Sequence, residues 1–214
     1  MLTNAIILIF AYLLGSIPSA VWIGKALHGV DVREHGSKNA GTNNTMRVLG
    51  VATGIPVLLI DVFKGFAAIK LGLLSPVWDA GTNAMITFQL VLGFAAIAGH
   101  IFPVFAGFRG GKGVATAVGI LLALHLPATL VSIAVFFLTL CICKYASVSS
   151  LMMGIAFPVS IIFIFKPDSI SLKIFSVVVC VLLFVTHHAN IARLLKGEET
   201  KAHFLFKKKA KNSI

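Results

Sequence analysis

Two glycine-rich basic turns carry the side chains best suited to chemistry in this chain. One is Phe108-Arg109-Gly110-Gly111-Lys112-Gly113; the other is Gly36-Ser37-Lys38-Asn39-Ala40-Gly41. Each lies between apolar runs. Glycine has no Cβ, so backbone N–H groups can come close to a ligand, and Arg109, Lys112 and Lys38 add positive charge. A helix is expected to start near Val114, where unpaired N–H groups and the helix dipole favour phosphate. The order is not that of a nucleotide-binding P-loop, because Gly113 follows Lys112 where serine or threonine is needed. Two anion-cradling turns beside apolar segments point to phosphorylated substrates handled next to lipid.

Other polar residues gather near these turns in sequence. The 25–50 segment also holds His28, Asp31, Arg33, Glu34, His35, Asn43, Asn44 and Arg47. It reads as an ordinary hydrophilic loop or as part of a site, and the second glycine-lysine turn favours the site. In Lys144-Tyr145-Ala146-Ser147-Val148-Ser149-Ser150, the serines either cap a helix or offer hydroxyls to a ligand. His187, Asn190 and Arg193 recur at i, i+3 and i+6, on one side of a helix, which leaves His188 facing elsewhere. Asp61 and Lys64 stand three apart inside an apolar run, where buried charge is expensive; they are expected to pair and tie that helix to its neighbours. Cys141, Cys143 and Cys180 sit in apolar runs without a histidine or second pair at ligand spacing, so they read as packing residues and no metal site is expected.

The elements that hold these residues are apolar spans. Of 214 residues, 58% are hydrophobic and 12% charged, and the mean hydropathy is +0.98. That is too apolar for a soluble domain and argues for a bilayer as solvent. Runs of membrane-crossing length fall near 2–24, 51–73, 84–105, 113–126, 127–143, 149–165 and 171–191, with a tight turn at His125-Leu126-Pro127 and a perturbed helix end at Pro103. Seven spans put Lys25, Arg33, Lys38, Arg47, Arg109, Lys112, Lys144 and the basic tail on one side, leaving Lys70, Lys166 and Lys173 on the other. By the positive-inside rule the first side is cytoplasmic. The formal net charge of +11 is therefore topology, not a nucleic-acid footprint, since it flanks apolar spans without aromatic interleaving. The first basic residue is Lys25, so the N-terminus reads as a retained span and not a secretory signal. Trp78 suits an interfacial belt. Lys207-Lys208-Lys209 reads as a stop-transfer tail or as an attractor of anionic lipid, worth about 1 kcal/mol per basic residue. The expected fold is a single all-α integral membrane domain over residues 1–214, with seven transmembrane helices, the N-terminus outside and the C-terminus cytoplasmic.

Three segments together resemble the acyl-phosphate-dependent glycerol-3-phosphate acyltransferase family of bacterial inner membranes. They are Gly36 through Arg47, Gly99-His100 through Gly113-Val114-Ala115-Thr116, and His187 through Asn190-Ile191-Ala192-Arg193-Leu194. The likeness runs from Gly15-Ser16-Ile17-Pro18 to Gly197-Glu198, with departures at Lys38, Asn43, His188 and Ala189. It implies transfer of a fatty acyl group from acyl phosphate to the 1-hydroxyl of glycerol 3-phosphate, giving lysophosphatidic acid and phosphate. The active site would face the cytoplasm from the inner membrane, with lipid around it and with no cofactor, metal or coenzyme A. Ser37, Lys112, His187 and Asn190 would then be the catalytic residues. Ser37, Lys112 and the backbone of Gly110, Gly111 and Gly113 would hold the donor phosphate, helped by Ser147 or Ser150. Arg47 would clamp glycerol 3-phosphate through its planar fork, with Gly36, Asn39, Gly41, Asn44 and Arg193 as further substrate-binding positions. His187 and Asn190 would orient the hydroxyl or polarise the acyl carbonyl. An acyl phosphate is already activated, so positioning and charge stabilisation could supply most of the rate.

Two other classes compete. A small transporter for an anionic solute would suit broken helices and midplane charges, but the polar residues gather on one face. A CDP-alcohol phosphatidyltransferase needs clustered aspartates, whereas Asp31, Asp61, Asp79 and Asp168 are scattered.

Overall fold

The structure, a computed structural model, describes residues 1–202; the Lys207–Lys209 cluster and Lys211 lie outside the described residues. Among the described residues there are helices and no strands. α1 (Leu2–Gly15) and α2 (Ser19–His28) are followed by α3 (Thr42–Leu49) and α4 (Val51–Leu71). Then come α5 (Asn83–Ile101), α6 (Val114–Leu124), α7 (Leu126–Cys143), α8 (Ala146–Val159) with a π-helical continuation over Ser160–Phe165, α9 (Ile170–Thr186) and α10 (His188–Leu195).

Local chemistry sets the ends. Thr82 Oγ1 accepts from Met85 N–H to start α5, and Ser169 Oγ accepts from Leu172 N–H to start α9. His125 Nδ1 accepts from Ala128 N–H at the α6–α7 turn, with Pro127 in the first turn of α7, where a missing N–H costs nothing. Gly113, at φ +82°, turns the chain into α6, a conformation that glycine adopts without strain.

By length and composition, Asn83–Ala106, Leu126–Cys143 and Ala146–Phe165 can each cross a membrane, and two bent helix pairs raise that number to five. The bent pairs differ from the sequence expectation. The run expected as one span at 2–24 breaks between α1 and α2 with a 42° bend, because Pro18 has no N–H to continue the ladder. The run expected at 171–191 breaks at His187 with a 58° bend. There the ring Nδ1 reaches the Leu183 carbonyl that the His187 N–H also uses, so side chain competes with backbone.

Small residues bring the helices together, as expected where lipid removes most of the hydrophobic drive for association. α4 packs on α6 at Gly65 and Gly119: a Cβ on Gly119 would overlap the Val62 carbonyl, and one on Gly65 the Thr116 carbonyl. α1 packs on α5 in the same way at Gly15 and Gly99. The main core joins Ile69, Ile97, Ile120, Phe157, Ile161 and Phe175 from α4, α5, α6, α8, its π-helical continuation and α9. Leu130, Phe137, Leu138 and Ile142 leave α7 apolar and exposed, a surface that lipid would cover.

Asp61 and Lys64 do pair, at 2.9 Å, both only 1% exposed. Lys64 Nζ donates to Ile17 O at 2.9 Å, and Ser19 Oγ donates to Asp61 Oδ1 at 2.7 Å. The pair thus binds α4 to the break between α1 and α2, where the interrupted helix leaves backbone groups in need of partners.

Candidate active site

A cavity of about 450 Å³ opens where α3, α4, α6, α7, α8 and the α9–α10 corner meet. Ser37, Asn39, Gly41, Asn44, Arg47, Lys112, Ser147, Ser150, His187 and Asn190 all line it. Residues far apart in sequence therefore share one wall. The two glycine-rich turns touch directly, through Ala40 N–H donating to Gly110 O at 3.4 Å.

Lys112 reaches the cavity from just before α6. Its Nζ donates to Asn190 Oδ1, while Asn190 Nδ2 donates to Glu199 Oε1 at 2.6 Å. Those two contacts fix the amide, with its oxygen toward the ammonium. Ser147 Oγ donates to the same Glu199 oxygen at 2.7 Å, and Arg193 Nε donates to Oε2 at 2.8 Å. Burial opposes ionisation of Glu199, but the hydrogen bonds from Asn190, Ser147 and Arg193 hold its carboxyl below the usual range. Burial pushes the Lys112 ammonium down to about 8; Glu199 opposes that shift, and Arg193 and Arg47 add to it.

Arg47, at the end of α3, is also pulled down by burial, and its Nε has no hydrogen-bond partner among the described residues. A buried guanidinium nitrogen without a partner is costly, and an anion in the cavity would satisfy it. His187 lines the cavity with its Nδ1 2.8 Å from Leu183 O. A carbonyl can only accept, so Nδ1 carries the proton and Nε2 is left with a lone pair. His188 is exposed and bonds back to Val185 O.

Five expected positions stand behind the wall and do not line it. Gly36, at φ +59°, lies against Asn44 Oδ1. Gly110 and Gly111 donate their N–H groups to Ile101 O and His100 O, both at 3.1 Å, so those two amides close the end of α5. Gly113 starts α6, and Arg193 holds Glu199. Asn44 lines the cavity, yet its amide staples the first turn: Nδ2 donates to Val32 O, His35 O and Asn39 O, and Oδ1 accepts from Ser37 N–H. The serines near α8 do not cap it. Tyr145 is the N-cap, and Ser149 and Ser150 bond back to Tyr145 O and Ala146 O.

Glu199, Asp61 and His100 were not among the expected site residues. Glu199 organises three of them, and Asp61 and His100 line the cavity. For Glu199 the available signal was an acidic pair, Glu198 and Glu199, in an otherwise basic tail.

Apart from Thr42 and Asn43 on α3, the rest of the lining is apolar and includes Leu58, Leu59 and Val62 on α4, Val118 on α6, and Ile133, Phe136, Phe137 and Leu140 on α7. At 1.5 Å per residue these lie about one to three turns along α4, α6 and α7 from the ends that adjoin Arg47 on α3, Lys112 ahead of α6 and Ser147 on α8. One end of the cavity is thus cationic and hydrogen-bonding, and the other is hydrocarbon-like. It fits an amphiphile with an anionic head.

Fold and site together define a helical membrane protein with one cavity that is cationic and hydrogen-bonding at one end and apolar at the other. The sequence profile of the family described as glycerol-3-phosphate acyltransferase matches residues 5–197. Relatives of that name from Fusobacterium nucleatum and Staphylococcus carnosus are each 41% identical, over 92% and 94% of this chain and 97% and 98% of their own. Two crystal structures of PlsY (YgiH), an integral membrane glycerol 3-phosphate acyltransferase, align over 95% of this chain and 99% of theirs. The glycerol 3-phosphate form has a TM-score of 0.83 at 34% identity, and the lysophosphatidic acid form 0.81 at 33%. The chain belongs to the glycerol-3-phosphate acyltransferase family.

Proposed function

We propose that this chain transfers a fatty acyl group from acyl phosphate to the 1-hydroxyl of glycerol 3-phosphate, releasing lysophosphatidic acid and inorganic phosphate. The observation that carries the reading is one cavity with Arg47 and Lys112 at its polar end and α4, α6 and α7 hydrocarbon at the other. Ser37, Lys112 and the N-terminal turn of α6, where Val114 and Ala115 line the cavity, hold the donor phosphate. Arg47 takes the phosphate of glycerol 3-phosphate. The hydroxyl oxygen attacks the acyl carbonyl carbon, the bond from that carbon to the phosphate oxygen breaks, and phosphate leaves. The proton passes to His187 Nε2 or to the departing phosphate. Ser147, Ser150 and Asn190 complete the polar wall. The transporter reading is not favoured, because the relatives are named as acyltransferases.

The same reading includes the membrane arrangement. The α1–α2 pair, α4, α5, α6, α7, α8 with its π-helical continuation, and the α9–α10 pair make seven spans, N-terminus outside and C-terminus cytoplasmic, in the inner membrane of a bacterium. The clustering of basic residues on one set of loops supports it.

The test is phosphate release by purified protein given palmitoyl phosphate and glycerol 3-phosphate, without added metal or coenzyme A. Stoichiometric phosphate and lysophosphatidic acid are expected. Acylation only from palmitoyl coenzyme A would overturn the reading.

A further inference from the structure

We propose that Asp31 and Arg33 form a positioning clip that sets the spacing of the two anion-binding turns. The idea rests on the functional reading above and adds two residues outside the cavity lining. Arg33 Nη1 donates to Ala106 O at 2.7 Å and reaches Arg109 O at 3.4 Å, so one guanidinium edge grips the backbone just ahead of Lys112. The other edge is held by Asp31, which accepts from Nε on Oδ1 at 3.0 Å and from Nη2 on Oδ2 at 2.7 Å. Asp31 Oδ1 also accepts from Arg33 N–H at 3.0 Å, and Lys25 Nζ lies 3.2 Å from Oδ2. The side chains are 16% and 10% exposed, so the fork works largely out of water, where a two-bond guanidinium–carboxylate contact gains most.

The gripped turn needs support. Phe108, between the two carbonyls, has φ +59°, a left-handed conformation that costs a side-chain-bearing residue energy. The Ala40–Gly110 hydrogen bond that also joins the turns is 3.4 Å, near the limit of such a bond. The clip is thus the stronger restraint on how far Lys112 stands from Ser37 and Arg47. Arg33 beside it, against the opposing effect of burial, holds the Asp31 carboxyl well below the usual carboxylate range, so the clip stays charged at any working pH.

Lysine cannot reproduce a planar fork that holds a carboxylate on one edge and a carbonyl on the other. In Arg33→Lys and Asp31→Asn, KM for glycerol 3-phosphate or acyl phosphate is expected to rise at least tenfold, with the thermal midpoint in detergent within a few degrees of wild type. In Arg33→Ala, millimolar guanidinium should restore part of the lost kcat/KM, and methylammonium should not. Unchanged KM values in both conservative variants, or a loss that tracks only the unfolded fraction, would overturn the clip. Asp31→Asn decides if Arg33→Lys fails to accumulate. Wild-type phosphate release is measured first: its absence would sink the functional reading, whereas intact release with indifferent variants sinks the clip alone.

Discussion

Lys112 holds its proton at neutral pH with little to spare, because burial brings its pKa down to about 8. If that charge grips the donor phosphate, kcat/KM, which reports the free enzyme, should be flat below about pH 8. Above it, as the ammonium deprotonates, kcat/KM should fall about tenfold per pH unit. Lys112→Arg should remove that limb, since guanidinium stays charged; a limb surviving in Lys112→Arg would assign it elsewhere. Lys112→Met should cost about 10²–10³ in kcat/KM, the scale of losing one transition-state donor. The sequence made Lys112 conspicuous because glycines surround it. Glu199 had no such setting, and its importance comes from α10 folding back by 58° so that Asn190, Arg193 and Ser147 all face one carboxylate. Arg33 is similar: its partner carbonyl is 73 residues away, a distance no local pattern bridges.

At the scale of elements, the site depends on how closely α6 approaches α4. A Cβ on Gly119 would overlap a backbone carbonyl, which cannot swing aside as a side chain can. Gly119→Leu should therefore force the helices apart at a cost of about 1–3 kcal/mol, seen as a lower thermal midpoint in detergent. Activity should fall further than stability, because α6 carries Val114, Ala115 and Lys112 at its start. A normal midpoint would mean that the contact relaxes freely. The starts of α6 and α7 were readable in sequence, since Gly113 and Pro127 have backbone preferences of their own. The bends near Pro18 and His187 were not, because hydropathy carries no angle: Pro18 marks where a helix can break but not by how much, and the break at His187 comes from its ring reaching the Leu183 carbonyl.

Across the whole molecule, charge asymmetry and the cavity make the same demand: the turns bearing Ser37 and Lys112 must open on one side of the membrane. In the proposed seven-span arrangement Lys25, Arg33, Lys38, Arg47, Arg109, Lys112 and Lys144 gather on that side, and Lys70, Lys166 and Lys173 on the other. The shared cavity is independent of that count, since it joins the two turns by contact and not by composition. Lys38 and Asp79 are both exposed and flank the bundle's first crossings, so single cysteines there report orientation. In a variant lacking Cys141, Cys143 and Cys180, Asp79→Cys should react with a membrane-impermeant maleimide in right-side-out spheroplasts. Lys38→Cys should react only after lysis. The opposite pattern would invert the protein and put its phosphate-gripping turns outside. Equal labelling of both before lysis would mean that α4 does not cross.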